Sequence, residues 1–290
     1  MSNTIALAKN YTSLLDEVYQ RASVTADLTS DASMCRAGAN ANEIVYPQIS
    51  VGGLGDYTRN SGYTKAAVNL EWVTAKFNYD RGARIEVDVM DNEESRNLAF
   101  GMAGAELQRT KVAPEADAFT FATLAAVEGI SVATPSTYED AEAFLKALIV
   151  AKSVMDEDEV PEEGRILYAT PTLLNGVMAL DTTKSREILN SFSVKKAVPQ
   201  SRFYTAIDLL DGVSEGEEVG HYQKAENAKD INFMIVHKPA IIKFDKHIAS
   251  NIIPAAMNPN ADGDISKYRK YGLVDVFKNK VAGIYLSHKA

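Results

Sequence analysis

The sequence predicts an α+β fold, in which helices and strands follow one another in mixed order. Apolar and polar residues alternate from Val73 to Val89, which is typical of a half-buried strand. After Asp91 the apolar residues change to helical spacing. More helix-like and strand-like stretches follow without the regular β-α-β succession of a parallel α/β protein.

Composition narrows the classes of protein to consider. The chain has 290 residues, of which 46% are hydrophobic and 24% are charged, as in an ordinary folded domain or pair of domains. No apolar run approaches the ~18 residues of a membrane span, so we expect no membrane partner. The N-terminus lacks a basic start followed by an apolar core, so we expect no signal peptide. The net charge of −9 argues against nucleic-acid binding by the whole surface, though not by a local basic patch.

The N-terminal part contains elements that reach outward. Helical spacing covers residues 4–21, and the small polar residues of 23–41 predict an extended arm with little to bury. A strand at Glu43–Val51, a polar tip at Asp56–Lys65 and the strand at Val73–Val89 form a predicted β-hairpin. At ~3.3 Å per residue, the second strand would be roughly 50 Å long, close to the diameter of the whole compact chain.

The helical pattern after the hairpin is equally long. Acidic residues fill the first turn, and apolar spacing continues to about Val127, which gives roughly 35 residues and ~50 Å. Pro114 interrupts the pattern, and because a residue before proline avoids the α conformation, we predict a kink or break there. An arm, an oversized hairpin and a long helix cannot all be buried within one compact monomer. We therefore expect a subunit that covers its hairpin in an assembly.

The C-terminal half mixes short elements. Ser136–Glu139 fits a capping box that opens a helix through Lys152, Arg165–Ala169 reads as a buried strand, and Pro171 opens another helix. Strand-like runs follow at 202–209, 231–236, 240–244 and 283–286. The acidic run Asp156–Glu163 and the basic stretch Lys267–Ala290 are either solvated surfaces or patches that meet across a subunit contact.

No catalytic constellation is present, so we assign no catalytic, cofactor-binding or metal-binding residue. Cys35 is the only cysteine, which excludes an internal disulfide, and no histidine is near it in sequence. Asn258–Arg269 has the spacing of a calcium loop, but Arg269 stands where a bidentate glutamate is needed, which favours a turn-rich loop. The four histidines are scattered and form no zinc motif; they are His221, His237, His247 and His288.

Several stretches, in order along nearly the whole chain, carry a family resemblance: Arg81–Glu94, Lys111–Phe119, Val160–Tyr168, Val198–Phe203, Asn227–Phe233, Tyr268–Gly272 and Asn279–Tyr285. Together they resemble the major capsid proteins of tailed bacteriophages (Caudoviricetes). Arg81–Glu94 resembles the family's junction between a strand and the spine helix, and Lys111–Phe119 resembles its "VPExDAY" stretch, with Phe119 at the usual aromatic position.

The resemblance implies the Hong Kong 97-type capsid fold. Its parts would be an N-terminal arm (1–45), an extended hairpin (46–80), a peripheral domain with the spine helix (81–130 and 230–290) and an apical domain (131–229). It implies a structural protein and not an enzyme. The chain would assemble in the host cytoplasm into the hexamers and pentamers of an icosahedral virion shell that encloses double-stranded DNA, bound nonspecifically.

The resemblance also implies partners. These are further copies of the chain and a portal protein, with a decoration protein as an optional partner. Because the arm begins almost at once, we expect a separate scaffolding protein, unless the sequence is that of an already processed chain. Some relatives form lysine–asparagine crosslinks, but nothing distinguishes Lys65, near the hairpin tip, from other loop lysines. Two alternatives stay open: an encapsulin-type nanocompartment shell of the same fold, and a small-molecule enzyme whose site the sequence hides.

Overall fold

The computed structural model describes residues 17–19, 22–30, 36–37, 42–60, 63–94 and 98–290. Most of the predicted helix at 4–21 lies outside these residues, as does Cys35, although Glu17–Tyr19 are helical. The helices are α1 (Val89–Glu94), α2 (Leu98–Leu107), α3 (Ala113–Ala125), α4 (Ala141–Glu157), α5 (Pro171–Leu180) and α6 (Thr183–Asn190). The strands are β1 (Arg36–Ala37), β2 (Glu43–Val51), β3 (Val68–Lys76), β4 (Tyr79–Asp88), β5 (Ser131–Val132), β6 (Arg165–Ala169), β7 (Val194–Ala197), β8 (Ile207–Leu209), β9 (Tyr222–Lys224), β10 (Ile231–His237), β11 (Ile241–Ile253), β12 (Gly263–Val276) and β13 (Ile284–His288).

The described strands form four sheets, and the mixture of sheets with helices confirms the predicted α+β class. The largest sheet has the order β5-β13-β10-β6-β7, with parallel pairs only at β5/β13 and β6/β7. Two three-stranded sheets have the orders β1-β2-β3 and β11-β12-β4, and β8 pairs with β9. The five-stranded sheet contains strands from both the predicted apical range and the predicted peripheral range. The predicted boundaries of these two domains stay a prediction.

Helices cover both faces of the five-stranded sheet. On one face, Phe121 and Leu124 of α3 pack against Tyr168 and Met234 of the sheet. On the other face, side chains of α4, α5 and α6 pack against Leu167, Phe233 and their neighbours. This explains why β6 and β10 are buried along their whole length, as a strand covered on both faces must be.

The single long strand predicted from Val73 to Val89 is wrong, because the chain changes sheets at Phe77 and Asn78. β3 pairs with β2 in the hairpin, whereas β4 pairs with β12. The Asn78 side chain takes the place of a main-chain partner: its Nδ2 donates to Val274 O, and its Oδ1 accepts from Val274 N. The alternation of apolar residues continues through this break, so the pattern alone could not reveal it.

Of the kink or break predicted at Pro114, the break is wrong, because a π-helical turn at Gln108–Val112 leads directly into α3. The kink stays a prediction. Ala113 has α-helical dihedral angles, and its N–H donates to the carbonyl five residues earlier. Pro114 then lies in the first turn of α3, where the missing N–H of proline is tolerated. The long helix therefore changes its winding at this point.

Four local predictions need correction. The capping box at Ser136–Glu139 is wrong, because α4 begins at Ala141 with Asp140 as its N-cap. The strand predicted at 202–209 is reduced to β8. The loop predicted through Arg269 ends at Gly263, where the long strand β12 begins. The predicted arm has more to bury than expected, since Thr25 and Leu28 have no exposed surface.

Candidate assembly surfaces

The root of the hairpin packs against its own subunit. Ile44, Tyr46 and Ala75 lie on one face of the β2/β3 ribbon and contact Ile242 and Leu273 of the β11-β12-β4 sheet. An edge-to-face contact joins Tyr46 to Phe277, with ring centroids 5.0 Å apart. This half of the ribbon is therefore part of the monomer's core.

The outer half of the hairpin is apolar on the opposite face. Directly paired residues share a face in an antiparallel ribbon, so the pairs Ile49/Leu70 and Val51/Val68 lie on the side away from Tyr46. The root face continues outward with polar pairs, Gln48/Glu71 and Ser50/Asn69. The apolar side of the ribbon thus changes from one face to the other along its length.

The apolar face of the outer half is exposed in the single chain. Ile49 is 58% exposed, Leu70 is 52% exposed and Trp72 is 45% exposed, and the two valines at the end of the ribbon are more exposed still. A two-stranded ribbon is marginally stable alone, and a row of large exposed apolar side chains is typical of a surface that another molecule covers.

The tip beyond the ribbon is exposed as well. The rings of Tyr57 and Tyr63 contact each other at a centroid distance of 4.9 Å, and Leu54 is fully exposed. Lys65, two residues after Tyr63 in the sequence, is exposed as well. The distal end of the hairpin therefore offers aromatic and aliphatic groups together with a positive charge.

A buried ionic cluster anchors β4 to the long helix below the hairpin. Glu115 of α3 accepts hydrogen bonds from Arg81 Nε at 2.7 Å and from the Tyr79 hydroxyl at 3.2 Å. The Nδ1 of His221 lies 3.4 Å from the same carboxylate. Burial would raise the pKa of Glu115, but the contacts with His221 and Arg81 outweigh it, and the pKa lies below its ordinary value.

Arg81 also reaches the turn between β8 and β9. Its Nη2 donates to Leu210 O at 2.8 Å and to His221 O at 3.1 Å. A cleft of about 500 Å³ lies between this turn, β4 and the π-helical turn. The cluster therefore fixes the position of the hairpin's supporting sheet relative to the part of the chain that carries β8 and β9.

Of the residues tested in the sequence for metal or catalytic chemistry, those that the structure describes do not converge. His221 belongs to the ionic cluster, His237 lies at the end of β10, and His288 contacts the main chain at Lys289. In the calcium-like stretch, Asn258 and Asp264 bond the local main chain. Within the described part of the chain, no three His, Cys, Asp or Glu side chains are grouped as metal ligands.

The two charged stretches of the sequence are partly neutralised within the subunit. Asp156 pairs with Arg165 and Glu162 pairs with Lys152, while Arg269 pairs with Asp80 on β4.

Among the described helices, none combines the length and the apolar character needed to cross a membrane.

Comparison with known proteins gives structural likeness without sequence likeness. No protein-family model matches the sequence, and no curated protein matches it. A chain from the capsid of the Cyanophage P-SCSP1u has a TM-score of 0.61 at 13% identity, over 93% of this chain and 88% of that chain. A chain from Mycobacterium phage Che8 has a TM-score of 0.58 at 14% identity, over 91% of this chain and 90% of that chain.

A third likeness extends beyond phages. A chain from a virus-like particle of Pyrococcus furiosus has a TM-score of 0.59 at 9% identity, over 97% of this chain and 99% of that chain. Each likeness covers most of the length of both chains, so it concerns the fold as a whole. The chain therefore has the Hong Kong 97-type capsid fold that its sequence resemblance implied.

Proposed function

We propose that this protein is a structural subunit of a closed shell, a major capsid protein of a tailed bacteriophage. The observation that carries the proposal is the exposed apolar face of the outer hairpin, which the subunit's own sheet cannot cover because it points the other way. A second copy is the partner that we assign to this surface, because every copy of the chain brings the same exposed apolar face. Contacts of this head-to-tail kind build rings when the rotation between successive copies closes.

The finer parts of the proposal follow from the resemblance and from the fold. The rings would be hexamers and pentamers of an icosahedral shell around double-stranded DNA, built in the host cytoplasm with a scaffolding protein and a portal protein. A decoration protein is a further possible partner on the outside. With a net charge of −9, DNA contact would be confined to local basic groups on the inner surface.

An encapsulin-type shell of the same fold is the second candidate. The likeness to a virus-like particle from Pyrococcus furiosus favours it, since that chain is matched over nearly its entire length. The two candidates share the proposed assembly contact and differ in what the shell encloses. Particles that copurify with a protein cargo in place of DNA would support this second candidate.

The shell proposal is tested by electron microscopy of the purified full-length chain, alone and with its scaffolding protein. We expect closed shells, or tubes of uniform thin wall. A chain that stays a small oligomer at high concentration under both conditions would contradict the proposal.

A matched pair of variants tests the role of the hairpin. Leu70→Asn places an amide on the apolar face of the outer half, and we expect it to prevent particle formation while the monomer stays folded. Glu71→Gln changes the neighbouring residue on the opposite face and should leave assembly intact. Particles from Leu70→Asn that match wild-type particles in yield and size would exclude the hairpin contact.

A further inference from the structure

Residues 22–30, here called the strap, cross three separate parts of the subunit. The strap contains a short 3₁₀ turn at Ala26–Leu28 and lies against α3, against β7 of the five-stranded sheet, and against β11. The sequence predicts an extended, little-buried segment here, but Ser23, Thr25 and Leu28 are buried. The strap is therefore an integral part of the interior.

Asp117 of α3 accepts five hydrogen bonds, four of which come from the strap. Its carboxylate accepts from Val24 N at 3.0 Å, from Thr25 N at 3.1 Å and from the hydroxyls of Ser23 and Thr25 at 2.7 and 2.6 Å. The fifth donor is Arg202 Nη1 at 3.1 Å. Asp117 has no exposed surface, so its charge depends on this full set of donors.

Basic side chains also hold the strap by its carbonyl oxygens. Lys196 of β7 donates to Val24 O at 3.0 Å, and Arg202, in the 3₁₀ turn after β7, donates to Ala22 O at 3.0 Å. Lys243 of β11 donates to Thr25 O at 3.2 Å and to Thr25 Oγ1 at 2.6 Å. Lys196 also pairs with Asp27 at 2.6 Å.

Two further contacts complete the attachment. Ser30 binds the start of β11, since its hydroxyl donates to Ile241 O at 2.7 Å and its N–H donates to Lys243 O at 2.7 Å. Leu28 inserts into the core between α3 and the sheets, among Phe121, Leu124 and Ile241. All of these partners lie far from the strap in sequence, so local chain connection does not account for them.

We propose that the strap is a brace that fixes the five-stranded sheet relative to the β11-β12-β4 sheet, with Asp117 as its positioning residue. The same short segment is bonded to Lys196 on one sheet, to Arg202 in the 3₁₀ turn that follows that strand, and to Lys243 on the other sheet. Asp117 links these contacts to α3. Loosening the strap therefore loosens the angle between the two sheets. The brace is a property of the single chain, whereas its consequence for shell curvature rests on the proposed function.

Hydrogen exchange of the full-length chain, followed by mass spectrometry, tests the brace. Asp117→Asn keeps the shape of the side chain but replaces one carboxylate oxygen with an amide NH₂ group. Buried N–H and O–H donors of the strap then lose their acceptor. We expect exchange to rise by about tenfold or more in the strap, and also in the segments Val194–Arg202 and Ile241–Lys243. The hairpin root and β10 should keep their protection.

Controls separate a brace from other outcomes. Asp140→Asn makes the same chemical change at an exposed helix cap and should affect only the start of α4. Thr25→Val, a milder change that removes one hydroxyl, gives the test if Asp117→Asn does not fold. Exchange confined to the strap, or spread evenly over the whole chain, would overturn the proposal.

Electron microscopy of assembled Asp117→Asn then tests the consequence for the shell. We expect particles of mixed diameter where the wild type gives a uniform one. Absence of particles from the wild type would contradict the proposed function and leave the hydrogen-exchange result valid. Uniform particles of wild-type size from a variant with a loosened strap would show that the brace does not set curvature.

Discussion

The root and the outer half of the hairpin are the same two strands, yet they bury opposite faces. At the root, Tyr46 and its neighbours fill the space above the β11-β12-β4 sheet. In the outer half, Ile49 and Leu70 lie on the other side and are exposed. If the apolar residues stayed on one face along the whole ribbon, they could either pack on the subunit's own sheet or face another copy, but not both. The change of face divides it into a part that stabilises the monomer and a part that is available to another copy.

The largest expected effect comes from removing the distal end of the hairpin. Deletion of Tyr57–Lys65 takes away the aromatic pair at the tip and leaves the root cluster intact. We expect a folded monomer that forms no shell, measured by electron microscopy and by sedimentation. Normal shells from this deletion would contradict the assignment of the outer half to assembly.

The two halves should also differ in their effect on monomer stability. Tyr46→Ala removes a buried aromatic ring from the root, and we expect the free energy of unfolding to fall by ~3–5 kcal/mol. Ile49→Ala removes a side chain that is exposed in the monomer, and its cost should stay below ~1 kcal/mol. Denaturant unfolding of the unassembled chain measures both. Equal losses would show that the outer half is packed in the monomer as well.

A smaller effect concerns the ionic cluster that supports β4 below the root. Because the pKa of Glu115 lies below its ordinary value of 4.5, the folded state favours the ionised carboxylate. This stabilisation is complete above that value and is lost as the pH falls through the lower pKa of the folded state. We expect Glu115→Gln to destabilise the monomer at neutral pH, with a difference from the wild type that shrinks in acid.

The control for this pH dependence is on the same long helix. Glu106 pairs with Arg109 at an exposed position, so Glu106→Gln should have little effect at any pH. Unfolding measured between neutral and acidic pH distinguishes the two variants. A difference between wild type and Glu115→Gln that stays constant with pH would contradict the role given to the carboxylate.

The residue pattern of the hairpin also contains a signal for its change of apolar face. Apolar residues occupy even positions from Val68 to Trp72 and odd positions from Val73 onward. Two adjacent apolar residues, Trp72 and Val73, mark the change of phase, and in a strand this change moves the apolar side to the other face. The hairpin itself was predicted, and this signal could also have located the change of face.

Other features could not be found from local pattern. The partners of Ser23 and Thr25 lie on α3 and β11, far away in sequence. Local pattern alone therefore predicts two solvated polar residues, although both are buried. The change of sheet at Asn78 depends on hydrogen bonds to Val274 that leave the apolar alternation unaltered. The start of β12 was hidden by the turn-rich residues before it.

The most direct test of the central claim uses Trp72, the only tryptophan of the chain, which lies in the outer half of the hairpin. Its fluorescence and its quenching by acrylamide are measured in unassembled subunits and in purified particles. If the outer half is covered by a neighbouring copy, emission shifts to shorter wavelength and quenching falls on assembly. Particles in which Trp72 is quenched as readily as in the free subunit would contradict the account.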